Sequence, residues 1–402
     1  MALNPPQSTI EREQSALKTR GRLEYIEGLR GLAALYVVLQ HVCTLSDPYS
    51  KMARPGAEPR WLAWVMAPLW YGHLAVAAFI VLSGFCLQLS LYGRSNGRLT
   101  DRREFFRRRC RRILPPYYAC LAFSLIVVWL VTSRQKGMPW AQYVPVTWEN
   151  VMAHVFMIHN LRPEWMYKIN GVLWSIAIEF QLYLFFPLLV GLLINRGRLA
   201  LLGTVAGVVA VPLIFVAGSH KLYLWYAPLF ALGMVAAHIG LHPRRRRPAP
   251  GWVALTGLTF GALCVLSIGW TKSLWIRDSL GGLAISALLV LGLLTPRGLA
   301  IRFLSLRWIV IAGTISYSLY LFHHPILQIV EAARPEGVAS DVARFAFLLA
   351  IGVPIALVGS AGFFWLFERP FLSRKMRPDH ERRAPAQAPE PGRNLPRRRG
   401  NR

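Results

Sequence analysis

Acidic residues are scarce: 19 Asp and Glu stand against 46 Lys and Arg, and charged side chains of every kind make up only 16% of 402 residues. A soluble domain carries about 25% charge, so this shortage excludes an ordinary soluble globular protein. Cysteine is sparse and odd in number, five in the chain, which excludes a disulfide-built scaffold. Walker A and Rossmann glycine patterns are missing, which leaves ATP and NAD chemistry unsupported. No small-residue cleavage pattern follows the first apolar run, so a signal peptide is not expected. Apolar residues, by contrast, reach 54%, with a mean hydropathy of +0.37. That excludes disorder for most of the length and leaves an all-α integral membrane protein of many spans.

Apolar runs of spanning length fall at about 26–46, 66–92, 113–132, 172–194, 199–217, 221–241, 252–270, 276–295, 308–331 and 342–367. They are continuous rather than alternating, so ten transmembrane helices are expected and not barrel strands. The N-terminal segment, alternate loops and the tail hold 33 of the 46 Lys and Arg, and the intervening loops hold 12. This asymmetry places both termini in the cytoplasm of a multi-pass protein of the cell (inner) membrane. It also accounts for the net charge of +27, which in a soluble chain would suggest nucleic acid. Three regions result: a cytoplasmic segment 1–24, a ten-helix membrane domain 25–371, and a basic Arg/Pro-rich tail 372–402 expected to be disordered.

Ionisable side chains inside a bilayer cost about 2.5–3.5 kcal/mol each on insertion scales, and few are present. They include Arg30 and His41 in the first run, Glu179 in the fourth, His238 in the sixth, and His323 and His324 in the ninth. Arg30 and His41 lie eleven steps apart, which returns a helix to nearly the same direction about 16 Å further on. Ser175, Glu179 and Tyr183 form a polar stripe at fourfold spacing. Ser316, Tyr320 and His323 share a face, and Pro325 frees a carbonyl beside the histidines. Each residue also has a plainer reading: a snorkelling arginine, a histidine bonded to a neighbouring helix, an interhelical hydrogen bond to Glu179. Adjacent histidines on a helix diverge, so no metal is expected.

The run FFRRRCRRILPPYY packs Arg107, Arg108, Arg109, Arg111 and Arg112 just before the third predicted helix. Part of this is the cytoplasmic charge rule, but guanidinium forks also match phosphate oxygens. A phosphate-binding group at the cytoplasmic face, leading to buried His and Glu, suits a long phosphorylated donor entering from the cytosol.

These residues resemble the membrane acyltransferase 3 family. IEGLRGLAALYVVLQH is similar to its first-helix signature, AAFIVLSGFCL to the second-helix stretch through Ser83, and FFRRRCRRILPPYY to its arginine motif at Arg109 and Arg112. LWSIAIEFQLYL resembles the acidic motif at Glu179, ISYSLYLFHHP the motif carrying His323, and FERPF the closing motif. Phe180 stands where many members carry a second acid, so a carboxylate pair is not expected. A C-terminal esterase-like domain is not expected either. The resemblance implies an O-acyltransferase with no bound cofactor, moving an acyl group, most commonly acetyl, from acyl-CoA to a hydroxyl of a carbohydrate or glycosylated acceptor. Arg109, Arg112, Arg108 and Arg30 would hold the donor, and His41 would be the general base or carry the acyl group transiently. Glu179 would orient its imidazole. His323 or Tyr317 would stabilise the oxyanion, with Ser83, Ser175 and Tyr320 in support. The 133–171 loop offers acceptor contacts at His154, His159, Asn160 and Trp165, with Trp174 beside it. Two other readings stand: a transporter or flippase, for which no inverted repeat is visible, and a passive scaffold for a polysaccharide assembly.

Overall fold

The computed structural model describes residues 7–47, 60–241 and 247–372. Among them every regular element is helical. The elements that matter here are α1 (Gln7–Ser46), α2 (His73–Ser95), α3 (Arg102–Leu130), α4 (Leu173–Arg196), α5 (Arg198–Phe215), α6 (Tyr226–Leu241), α7 (Pro250–Trp270), α8 (Leu274–Leu294), α9 (Arg307–Thr314) and α10 (Ser316–Ala332). A last helical stretch runs over Asp341–Phe371. Apart from Leu372, the predicted basic tail lies outside the described residues.

Among the described residues, eight helical stretches are long and apolar enough to cross a membrane. Two of the ten predicted runs take a different form. The sixth shortens to the 16 residues of α6, because the chain before it turns through left-handed Gly218 and Tyr223. The ninth is broken at Ile315 into α9 and α10. Glu368, from the closing FERPF motif, explains the break. Its Oε2 accepts from the backbone N–H of Ser318 at 3.1 Å and from the Ser318 hydroxyl at 2.5 Å, capping the exposed first turn of α10 from another helix.

Small residues set the tightest helix contacts, as expected where lipid removes the hydrophobic drive between helices. Gly84 of α2 and Gly233 of α6 let the two backbones touch: a Cβ on Gly84 would lie 2.0 Å from the Phe230 carbonyl oxygen, and one on Gly233 2.0 Å from that of Val81. Gly31 and Gly313 join α1 to α9 in the same way. These contacts gather α1, α2, α3, α4, α6 and α10 around one interior. α5 and α7 stay at the periphery, with only 11% of each apolar window buried. Their faces display Leu199, Phe215, Leu258 and Val265, side chains that a bilayer would cover.

Candidate active site

α3 begins with Asp101, whose side chain accepts from the Glu104 backbone N–H at 2.9 Å. One turn later Glu104 takes Arg107 at 2.7 Å and Arg108 at 3.5 Å on the exposed face. The expected donor role of Arg108 therefore finds no support: its guanidinium points outward to Glu104. Arg109 and Arg112, three residues apart, turn the other way, where they and Arg30 line one intramembrane cavity. Arg109 also lies 5.8 Å over the Tyr183 ring. The predicted clustering of Arg30, Arg109 and Arg112 is thus a real convergence of α1 and α3.

Glu179 is in the wall of the same cavity. Its Oε1 accepts from the Ser83 hydroxyl at 2.7 Å and from the Tyr183 hydroxyl, and those two hydroxyls lie 2.7 Å apart. Further along the stripe, Ser175 meets the Tyr320 hydroxyl at 2.7 Å. Tyr317 also lines the cavity, but its hydroxyl donates to the Ile113 carbonyl at 3.1 Å, so it is already engaged. Tyr320 and Phe79 line the cavity as well, and their rings meet edge to face at 5.5 Å.

Behind Tyr320 are the histidines. Its ring lies 6.3 Å from that of His323. His323 Nδ1 lies 2.7 Å from the Leu319 carbonyl, and its Nε2 lies 3.0 Å from His41 Nδ1. A carbonyl only accepts, so His323 carries its proton on Nδ1 and offers Nε2 as acceptor. His41 Nδ1 also faces the Val37 carbonyl at 3.0 Å, so it must be the donor to both. The proton of neutral His41 is thereby fixed on Nδ1. Its Nε2 keeps a lone pair with no hydrogen-bond partner among the described residues. The expected Glu179–His41 contact is not made; His323 occupies that position instead. His324 stacks edge-on against His41 at 4.9 Å and is held by the Tyr143 hydroxyl at 3.0 Å. The carbonyl that Pro325 frees, that of Leu321, receives Cys120 Sγ at 3.1 Å and Asn170 at 3.4 Å. His238 is engaged elsewhere, with Tyr92 at 2.6 Å.

Of the expected acceptor contacts, His154, His159, Asn160 and Trp174 prove to be interior, while Trp165 is half-buried with Arg162 4.6 Å over its ring. His159 stacks on His154 with ring centroids 3.8 Å apart, both fully buried. Asn160 and Gln181 exchange amide hydrogen bonds at 3.1 and 2.7 Å. Trp174 stacks on Tyr223 at 4.3 Å. The Asn160–Gln181 pair fastens the 133–171 loop to α4, the imidazole stack lies within the loop, and burial removes these side chains as a surface. Desolvation in that packing lowers the His154 pKa to about 4 and lowers that of His159 as well. Tyr143 and the pair formed by His73 and Asp278 went unnoticed in the sequence, because partners 181 and 205 residues apart leave no local pattern.

Comparisons with known proteins agree with this architecture. A family model described as "Acyltransferase domain" matches residues 23–366. The O-acetyltransferase OatA of Staphylococcus aureus (strain NCTC 8325 / PS 47) is 24% identical over 341 residues, covering 78% of this chain and 52% of that protein. The putative O-acetyltransferase SACOL0978 of Staphylococcus aureus (strain COL) is 23% identical over 364 residues, covering 80% of this chain and 54% of that protein. The chain thus spans about half the length of the curated relatives it matches. No solved structure matches it. With a matched segment that begins before Arg30 and ends just short of the FERPF motif, the chain belongs to the acyltransferase 3 family.

Proposed function

We propose that this chain is a ten-pass O-acyltransferase of the cell membrane with both termini in the cytoplasm, moving an acyl group, acetyl in the first instance, from acyl-CoA to a hydroxyl of a carbohydrate acceptor. One observation carries the reading: Arg30, Arg109 and Arg112 share a cavity with Glu179 and Tyr320, and the Tyr320 ring lies 6.3 Å from that of His323, which pairs with His41. The likeness to proteins named O-acetyltransferases supports acetyl as the group and a hydroxyl as its acceptor.

The chemistry follows from the geometry. The coenzyme phosphates dock on the three guanidiniums, which bind phosphate through paired hydrogen bonds. The pantetheine arm runs along the wall formed by Ser83 and Glu179, and the thioester passes the Phe79–Tyr320 pair. His41 Nε2 takes the proton of the acceptor hydroxyl as its oxygen attacks the thioester carbonyl. The carbon–sulfur bond breaks, the thiolate leaves, and the imidazolium returns the proton to sulfur. His323 Nε2 and the Val37 carbonyl hold His41 Nδ1–H throughout, fixing ring orientation and stabilising the positive charge that forms. Tyr317 and His323 Nδ1 are both committed to carbonyls, and Tyr320 meets the oxyanion by turning its proton from Ser175, which itself donates to the Val172 carbonyl.

The test uses the full chain in lipid nanodiscs with radiolabelled acetyl-CoA and envelope glycans. Transfer by the wild type and its loss in His41→Ala, with insertion and melting temperature retained, is the expected result. A His41→Ala protein that transfers at the wild-type rate ends this assignment.

A further inference from the structure

The interior holds a second imidazole in an acid–base arrangement, outside the cavity and unused by the steps above. His73 Nδ1 lies 2.6 Å from Asp278 Oδ1, and the other oxygen of that carboxylate accepts from Trp225 Nε1 at 2.8 Å. Asp278 is fully buried, and both of its oxygens are satisfied. An indole N–H only donates, so the carboxylate stays an acceptor and draws the imidazole proton to Nδ1. His73 Nε2 is left as a buried lone pair with no hydrogen-bond partner among the described residues. The hydroxyl of Tyr226, next in the chain to Trp225, is buried and unpartnered too. A clamp between helices would gain from satisfying these atoms, since each one left bare costs about 1–3 kcal/mol.

Position gives the pair a role. On α2, His73 is followed at helical spacing by Val76, Ile80, Ser83 and Leu87, all of which line the donor cavity. His73 therefore ends the stripe whose other end faces the arginines, about 15 Å beyond Ser83. It is also level with the catalytic histidine: Gln40, the neighbour of His41, packs against Gly72, the neighbour of His73, with its Cγ 2.6 Å from where a Cβ on Gly72 would be.

We propose that the Asp278–His73 pair is the acceptor-side binding site. A polyol docks at this end of the stripe with one hydroxyl donating to His73 Nε2 and a second meeting Tyr226, which presents a neighbouring hydroxyl to His41. The inference rests on the acyl-transfer reading, because it supplies the acceptor that reading requires.

The test compares His73→Phe, His73→Gln and Asp278→Asn in cells deleted for the native copy, with ester-linked acetate on envelope glycans as readout. Coenzyme A affinity and melting temperature are measured on the purified full chain. His73→Phe is expected to lower glycan acetate at least tenfold with coenzyme A affinity within twofold. Asp278→Asn should fall between, and His73→Gln should recover part of the loss through its amide oxygen. Glycan acetate within twofold of wild type in His73→Phe overturns the proposal. So does a loss that follows the melting temperature and is not eased by Gln, which makes the pair a helix clamp only. Wild-type protein that does not bind coenzyme A defeats the donor assignment instead, while the glycan readout still judges His73.

Discussion

The His41–His323 and His154–His159 pairs are built on opposite principles. His41 and His323 approach through their nitrogens, 3.0 Å apart, with ring planes tilted by 45°. His154 and His159 approach through their faces, 3.8 Å between centroids and 9° from parallel. In the first pair every proton is committed to a named acceptor, and one lone pair, on His41 Nε2, remains for chemistry. In the second, three of four ring nitrogens are buried without hydrogen-bond partners, and the faces do the packing. His323, His154 and His159 are all fully buried, so burial does not tell their pairs apart. The direction of approach separates the proposed proton-handling site from a packing element.

The largest effect that could break this contrast comes from His41. His41→Ala removes the base, and transfer is expected to fall about 100- to 10,000-fold, the usual span for a positioned general base. His323→Phe leaves only the Val37 carbonyl to hold the proton of that base, so a smaller loss, about tenfold in kcat with donor KM unchanged, is expected from the same transfer assay. Equal losses in both variants would mean that the pair acts as one unit, and no loss in His323→Phe would dissolve the argument from tautomers.

The arginines extend the same lesson to charge. Arg109→Ala is expected to raise donor KM about tenfold or more, because a charge-assisted contact to phosphate is lost, while Arg108→Ala should stay within twofold. The motif resemblance sets Arg109 and Arg112 apart in the run of five, with Arg108 beside them; Glu104 draws Arg107 and Arg108 to the other face. Much of the remainder was legible for a similar reason. Arg30 and His41 share a face because eleven residues close three turns, and Ser175, Glu179 and Tyr183 line up at fourfold spacing. What local periodicity cannot carry is the partner on another helix. Glu179 belongs to Ser83, 96 residues away, and not to His41. The break at Ile315 lies in an apolar run with no proline at that point, and its cause, Glu368, comes 50 residues after Ser318. The buried loop histidines were read as an acceptor surface because a polar residue in a loop carries no mark of what covers it.

The smallest effect on activity, and the sharpest contrast, is expected from the stacked pair. His159 has no hydrogen bond to lose among the described residues, so His159→Phe keeps the ring and removes two bare nitrogens. Transfer should remain within twofold at neutral pH. Stability should respond to acid instead. The folded protein holds His154 near pKa 4 by desolvation, whereas an unfolded histidine titrates near 6.5. Between those values the unfolded state binds the proton and the folded state does not, so stability is full above about pH 6.5 and falls as the pH drops toward 4, by up to about 3 kcal/mol for that one residue. His159, lowered by burial and by His154, steepens the same slope. Melting temperatures of the detergent-solubilised chain across this range should therefore decline for the wild type and decline less for His159→Phe. A wild-type curve that is flat from pH 7 to 4.5 would show that the stacked rings are not held neutral by their packing, and the distinction between the two histidine pairs would rest on hydrogen-bond geometry alone.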